Sequence, residues 1–324
     1  MKRGYAPKGK YVWDLWFIKE KGYYHVFFLQ SNKTKNPEDR HNNKVSIGHA
    51  KSKDLIHWTS LPTALKPGKK GEWDDLSLWT GDVYKRNNKY YMLYTGRNHK
   101  KNNFRIQRIG LAISDDLIHW TKHTDNPVLE ADKRYYQITN SKNKLGMMTA
   151  WRDPYIFEEN NKYYAIISAR KKSKKKEHNA CIAIAESKDL IKWKIKKPLL
   201  HTGVYDSMEC PQLIKHKNCY YLFFSVPLME IFNINKKKKI EIGKGLHCYY
   251  SSKLFGKYKP VNRDGIVYDS DKLYDLKLIE NKGDEFIAIG WINYEKEKFI
   301  GKLSRPIKLL IKKDKVLVKI KEWR

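Results

Sequence analysis

The chain has 324 residues and a net charge of +31, from 66 Lys and Arg against 35 Asp and Glu. It is 41% hydrophobic and 13% aromatic, enough for a sizeable core, and no apolar run approaches the roughly 20 residues that span a bilayer. Its start, MKRGYAPKGK, has no apolar segment behind it, so no signal peptide is expected, and Cys181, Cys210, Cys219 and Cys248 show neither C-x-x-C nor metal-ligand spacing, which predicts a reducing, cytoplasmic setting. Two lysine runs, KKSKKK (171–176) and KKKK (236–239), lie between strand-like segments and read as solvated loops. No nucleic-acid-binding motif accompanies them, because the aromatic residues sit in strands and not among the lysines.

In chain order, the first element is YVWDLWF (11–17), where Asp14 interrupts a row of large apolar residues. A buried carboxylate is costly unless it is paired or used, so Asp14 is either a satisfied turn residue or part of a site. The aromatic strand GYYHVFFLQ (22–30) follows, then IGHAKSKDLIHW (47–58). The same two elements return as KYYMLYTG (89–96) with IGLAISDDLIHW (109–120), and as KYYAIISA (162–169) with IAIAESKDLIKW (182–193). CYYLFFSV (219–226) is followed by a degraded copy, LHCYYSSKLFGKY (246–258), and EFIAIGWI (285–292) is a weaker fifth strand. The aromatic strands start at 22, 89, 162, 219 and 285, a period of about 65. Apolar–polar alternation bounded by Asn, Asp, Gly and Lys turns argues strands. Five copies of three or four strands predict an all-β chain, a single-domain five-bladed β-propeller over 1–302 with closing strands over 303–324. An irregular β-sandwich is the competing architecture.

Each repeat carries an acid shortly before its aromatic strand: Asp14, Asp82, Asp153, Glu209 and Asp275. First strands of propeller blades line the central channel, so these distant carboxylates are expected to converge. Carboxylates in one small mouth repel each other, and burial and like charge split them into acid and base forms. Glycoside hydrolysis uses such a split: one carboxyl protonates the leaving oxygen while the other attacks or activates water. Binding of Ca²⁺ by the same oxygens is the alternative use. Pro154 and Pro211, within two residues of Asp153 and Glu209, restrict the backbone there. Trp13, Trp16, Trp79 and Trp151 flank the acids, as sugar-stacking faces or as ordinary core.

At these residues the chain resembles glycoside hydrolase family 32, the β-fructosidases, and their family 68 relatives. GYYHVFFLQ is similar to the family's segment ending in a substrate-binding Gln, here Gln30. IGHAKSKDLIHWTSLPTALKPG resembles its G-H-A-x-S-x-D-L-x-x-W stretch, and WTGD (79–82) stands at its F-S-G-type motif. WRDP (151–154) resembles the R-D-P motif, MECP (208–211) the E-C motif, and GWIN (290–293) with GKLSRPIKLL (301–310) the last blade. The resemblance implies a retaining enzyme that cleaves β-fructofuranosides such as sucrose or fructo-oligosaccharides, by hydrolysis or transfructosylation. It assigns Asp14 as nucleophile, Glu209 as general acid/base and Asp153 as transition-state stabiliser. Trp13, Gln30, Trp79, Thr80, Arg152 and Trp291 would bind the fructosyl unit, with Asp82 and Asp275 as extra acids for hydroxyls or a cation. Retention requires the Asp14 and Glu209 carboxyls to stand about 5–5.5 Å apart. No cofactor and no metal is implied. The expected partner is a small carbohydrate, with no membrane and no nucleic acid; the sequence sets no oligomeric state. Two features depart from the family: W-D-L-W replaces N-D-P-N-G and is closer to family 68, and the chain lacks the C-terminal β-sandwich. Two other readings remain: an inverting arabinosidase or xylosidase of the family 43 type, and a non-catalytic carbohydrate-binding propeller.

Overall fold

The aromatic strands are apolar at nearly every position because both of their faces are covered. In the strand Lys89–Arg97, Met92 and Tyr94 pack into one hydrophobic cluster, and Tyr91 and Leu93 into the next. In Cys219–Val226, Leu222 and Phe224 face one cluster while Tyr221 and Phe223 face another. A strand's side chains alternate between faces, so each sheet is a partition between two cores. The computed structural model describes residues 4–99, 106–138, 150–174, 177–227, 229–233, 238–270, 272–279, 282–296 and 298–319.

Five antiparallel sheets form the blades of a propeller. Blade one is Lys10–Glu20, Tyr23–Asn32, Ser46–Ser52 and Thr59–Leu65; blade two is Ser77–Arg86, Lys89–Arg97, Arg108–Ser114 and Thr121–Lys122. Blade three is Trp151–Glu159, Lys162–Arg170, Ala180–Ser187 and Trp193–Ile195. Blade four is Glu209–His216, Cys219–Val226, Gly245–Ser251 and Lys259–Pro260, with Ile266–Asp269 also paired to its third strand. Blade five is Leu273–Ile279, Glu285–Glu295, Ile307–Lys312 and Lys315–Lys319, with Lys298–Leu303 on its second strand. The tail segment KVLVK (315–319) is therefore the outer edge of blade five, and 320–324 lie outside the described residues. Of the KKKK run, 236 and 237 also lie outside them; 238 and 239 open a strand of the two-stranded ribbon Met229–Asn233/Lys238–Ile242, where a loop was expected. Lys175 and Lys176 of the other run are likewise not described. Tyr5 and Leu303 exchange backbone hydrogen bonds of 3.2 and 2.8 Å, tying the start of the chain to the last blade.

The recurring S-x-D-L turn has a physical cause. In blade three the Ser187 hydroxyl accepts the amides of Asp189 and Leu190 at 3.2 and 2.9 Å, and donates to Asp189 Oδ1 at 3.0 Å. Asp189 Oδ1 then accepts the amides of Ile191 and Lys192 at 2.9 and 2.8 Å. These bonds hold Leu190 at φ 67°, a left-handed conformation that costs a leucine about 1–2 kcal/mol. Burying Leu190 offsets that cost. Ser52-Asp54-Leu55 and Ser114-Asp116-Leu117 repeat the arrangement, with φ 63° and 69° at the leucines. In the degraded copy Lys253 replaces the aspartate, and Ser251 Oγ accepts Lys253 N–H at 3.3 Å.

The inner strands are stitched to one another by side chains that accept the next blade's backbone amides. Asp82 Oδ2 of blade two takes Ile156 N of blade three at 2.8 Å, and Asp153 Oδ2 takes Cys210 N of blade four at 3.1 Å. Gln212 exchanges two 2.8 Å bonds with the Leu278 backbone of blade five. Asp275 Oδ2 closes the ring by taking Leu15 N of blade one at 2.8 Å. Each bond satisfies an amide that the channel would otherwise leave buried without a partner.

Two stability outcomes are expected. Ser187→Ala removes two amide acceptors and should cost about 1–2 kcal/mol in chemical denaturation, with no change in fold. Burial pushes the Asp82 carboxyl from 3.8 to about 7, against the pull of the Ile156 and Val83 amides and Lys277. The folded state thus binds this proton more tightly than the unfolded chain. Its stabilisation is complete below about pH 4 and lost as pH rises through 7. Asp82→Asn keeps an acceptor for Ile156 but cannot ionise. Above pH 7 the variant should exceed the parent in stability by a margin on the order of 2 kcal/mol, and lose that advantage near pH 4.

Candidate active site

Every inner strand breaks register with its neighbour at one level of the channel. The shifts fall between Trp13 and Leu15, between Trp79 and Gly81, opposite Ile166–Ser168 at Asp153, between Glu209 and Gln212, and between Tyr274 and Lys277. Four residues at these bulges have positive φ: Asp14 (36°), Asp153 (58°), Cys210 (50°) and Asp275 (46°). A bulge turns its extra residue out of the pleat and re-aims the side chain. At blade two the extra residue is Thr80, and the backbone there approaches so closely that a Cβ on Gly81 would collide with the Leu93 carbonyl.

The result is three stacked rings. Trp13, Trp79, Arg152, Glu209 and Tyr274 precede the bulges; Asp14, Thr80, Asp153, Cys210 and Asp275 occupy them; Trp16, Asp82, Tyr155, Gln212 and Lys277 lie below. The sequence expectation was that all five acids converge at the channel. The bulges separate them by level: Glu209 in the upper ring, Asp14, Asp153 and Asp275 in the middle and Asp82 in the lower.

Asp14 is partly exposed, and each oxygen has a donor: Thr80 Oγ1 on Oδ2 at 3.2 Å and Trp291 Nε1 on Oδ1 at 3.1 Å. Burial, then the charges of Asp275, Asp153 and Glu209, push its carboxyl well above the usual range, and the Thr80 hydroxyl opposes them. The carboxyls of Asp14, Asp153 and Glu209 thus lie within one another's fields. Glu209 Oε1 accepts from Arg152 Nη2 at 2.8 Å and Ser207 Oγ at 2.9 Å, and Oε2 accepts from Tyr274 Oη at 2.6 Å. Burial and then the Glu209 charge hold the Tyr274 phenol in its protonated, donating form. Asp153 is buried; burial pushes its carboxyl up to about 6, and Arg152, whose Nε lies 3.4 Å from it, pulls it back. The Thr95 hydroxyl accepts Asp153 N at 3.1 Å and donates to Thr80 O at 2.9 Å, fixing blades two and three at this level.

The aromatic wall above Asp14 includes Trp13 and Trp79, both edge-on to His41 at 5.8 and 6.1 Å. The Arg97 guanidinium lies 4.5 Å from the Trp79 ring. Burial, then Arg40, hold His41 down at about 4, so it is neutral at ordinary pH. Trp291 packs against Tyr274 at 5.8 Å, joining the donors of the two carboxylates.

Three of the expected binding residues, Asp82, Asp275 and Gln30, carry hydrogen bonds to the fold itself. Asp82 is buried one ring down and lines a cavity of about 840 Å³ together with Thr80, Asp153, Tyr155, Gln212 and Lys277. Asp275 is 1% exposed and is held between Leu15 N and Lys277 Nζ, 3.0 Å away. Their carboxylates serve blade-to-blade seams, which departs from the expectation that they meet substrate hydroxyls. One oxygen of Asp14, one of Asp275 and the Cys210 sulfur lie within 4.8 Å of one another, but the Lys277 ammonium already supplies positive charge there. Gln30 is buried, and its amide donates to Thr63 Oγ1 at 3.1 Å and Ser46 Oγ at 3.4 Å.

Tyr274, Ser207, Arg97, His41 and Lys277 were not found from sequence. The signal for Tyr274 was present. The pairs W-D (13–14), W-T (79–80), R-D (152–153), E-C (209–210) and Y-D (274–275) align at the bulges, whereas counting back from the aromatic strands misaligned them.

The chain is 24% identical to a 6(G)-fructosyltransferase of Asparagus officinalis over 322 residues, covering 85% of this chain and 48% of that protein. It is 24% identical to a sucrose-6-phosphate hydrolase of Escherichia coli, covering 86% of this chain and 53% of that one. The chain therefore spans about half the length of these curated relatives. Among solved structures, Bacillus subtilis levansucrase superposes with a TM-score of 0.78 at 18% identity, covering 99% and 88% of the two chains. An inulosucrase from Halalkalicoccus jeotgali bound to kestose gives 0.77 at 21%, covering 97% and 89%. At these identities the superpositions establish the fold. The glycosyl hydrolases family 32 N-terminal domain matches residues 15–319, beginning one residue after Asp14, and the chain belongs to that family.

Proposed function

We propose that this protein is a retaining glycoside hydrolase that cleaves β-fructofuranosides, sucrose or short fructo-oligosaccharides, through a covalent fructosyl-enzyme. The observation that carries this reading is the convergence of Asp14, Asp153 and Glu209, whose carboxylates act on one another in the channel. Asp14 has one neutral donor per oxygen, whereas Glu209 is gripped by a guanidinium and two hydroxyls. Asp14 attacks the anomeric carbon while Glu209 gives a proton to the leaving glycosidic oxygen, so the bond to the sugar breaks as the ester to Asp14 forms. Glu209 then takes a proton from water, or from a sugar hydroxyl in transfer, and the ester is released. Asp153 and Arg152 hold fructose hydroxyls and balance the developing positive charge. The relatives named sucrose-6-phosphate hydrolase and fructosyltransferase support both the substrate class and the hydrolysis-or-transfer pair. Four unpaired cysteines support a reducing, cytoplasmic compartment.

Asp14→Asn and Glu209→Gln should each lower kcat at least about 10³-fold on sucrose, 1-kestose or sucrose 6-phosphate with the far-ultraviolet spectrum unchanged. Either variant retaining parental turnover removes that residue from the mechanism. NMR of the first-released anomer gives the stereochemistry, and an inverted product would favour the family 43 reading. Thr80→Val deletes a bond that lowers the Asp14 pKa. Asp14 must be ionised to attack, so the acid limb of kcat/KM should move to higher pH, and Thr80→Ser should restore it.

A further inference from the structure

The KKSKKK run has no role in the proposed chemistry, yet its first two lysines help to build a cup. Arg134, Tyr135, Lys171, Lys172, Lys197 and His201 line a cavity of about 490 Å³ with no acidic side chain in its lining. The cup opens at the same end of blade three as the acids. Ala169 pairs with Trp151 and Ser168 with Arg152, so Arg170 and Lys171 emerge where Arg152 and Asp153 begin. Arg170 donates to Asp206 O at 2.6 Å, one residue from Ser207, so the cup and the carboxylate cleft lie on either side of this contact.

The walls are braced. Lys171 N bonds Asn179 O and Lys172 N bonds Tyr135 O, each at 2.8 Å, and Gln137 N bonds Arg170 O at 2.9 Å. The buried Tyr136 ring lies under them, and its hydroxyl donates to Lys196 O at 2.7 Å, which ties down the wall that carries Lys197. Arg134 is fixed by a two-pronged pair with Asp132 and lies 5.3 Å from the Tyr135 ring. Lys171, Lys172 and Lys197 have no ion-pair partner among the described residues. Three exposed lysines thus line one cavity without an ion-pair partner among the described residues, and their summed field attracts an anion. The concave shape suits a small ligand; a duplex or a bilayer needs a long or flat basic face. Several N–H donors on one cavity wall suit tetrahedral phosphate oxygens.

We propose that this cup is a second ligand site, separate from the carboxylate cleft, that takes a phosphoryl group. The test is calorimetric titration of the full chain at low ionic strength with two probes, inorganic pyrophosphate and glucose 6-phosphate. One saturable site is expected. It should weaken at least about tenfold in Lys171→Glu/Lys197→Glu and hold in Lys312→Glu/Lys315→Glu, which makes the same charge change on blade five. Equal affinity for both probes assigns the site to phosphate alone. Tighter glucose 6-phosphate that weakens in Tyr135→Ala assigns it to a sugar phosphate. Absence of saturation overturns the proposal. So does equal weakening in both double variants, which reports the general field of a +31 chain, or parental binding in the first, which places the probe in the cleft.

Discussion

The constraint on which this structure depends is the bulge repeated on every inner strand. A regular strand alternates its side chains between the two neighbouring cores, and none would point along the channel. By inserting a residue in left-handed or irregular geometry, each blade turns one side chain toward the axis. Five such insertions at one level create a ring where carboxylates can meet. The backbone strain at Asp14, Asp153, Cys210 and Asp275 is held by bonds from adjacent blades, so the site and the blade seams are one network.

That network divides labour among acids that look alike in sequence. Asp82 and Asp275 each hold a neighbouring amide, and Asp153 does so while also standing beside Arg152. Asp14 and Glu209 are instead bonded by side-chain donors alone among the described contacts. Asp82 and Asp275 are thereby committed to the fold, Asp153 combines a seam bond with its place beside Arg152, and Asp14 and Glu209, held by hydroxyls, an indole and a guanidinium, can exchange a donor for a substrate atom.

Much of the fold was legible because propellers repeat. The aromatic strands and the S-x-D-L turns recur with the chain's period, and each turn's hydrogen bonds explain why those residue types return. Asp153 and Glu209 were legible through their R-D-P and E-C surroundings, and Asp14 as a carboxylate interrupting a row of large apolar residues. Tyr274 was missed because its mark, the Y-D pair, shows only when the repeats are aligned on their bulges and not on the aromatic strands. The true level of Asp82 was hidden because one extra residue in a bulge shifts the count without changing the pattern. Ser207 and Lys277 act through contacts made only once blades four and five are side by side.

Asp14 meets Trp291 across 277 positions of chain, and Leu15 meets Asp275 across 260. The first sheet to leave the ribosome therefore waits for the last before its carboxylate has its indole and its loop has its anchor. With only four sheets in place, Asp14 would lack its Trp291 donor and the Leu15 amide its Asp275 acceptor, so closing the ring completes both contacts together.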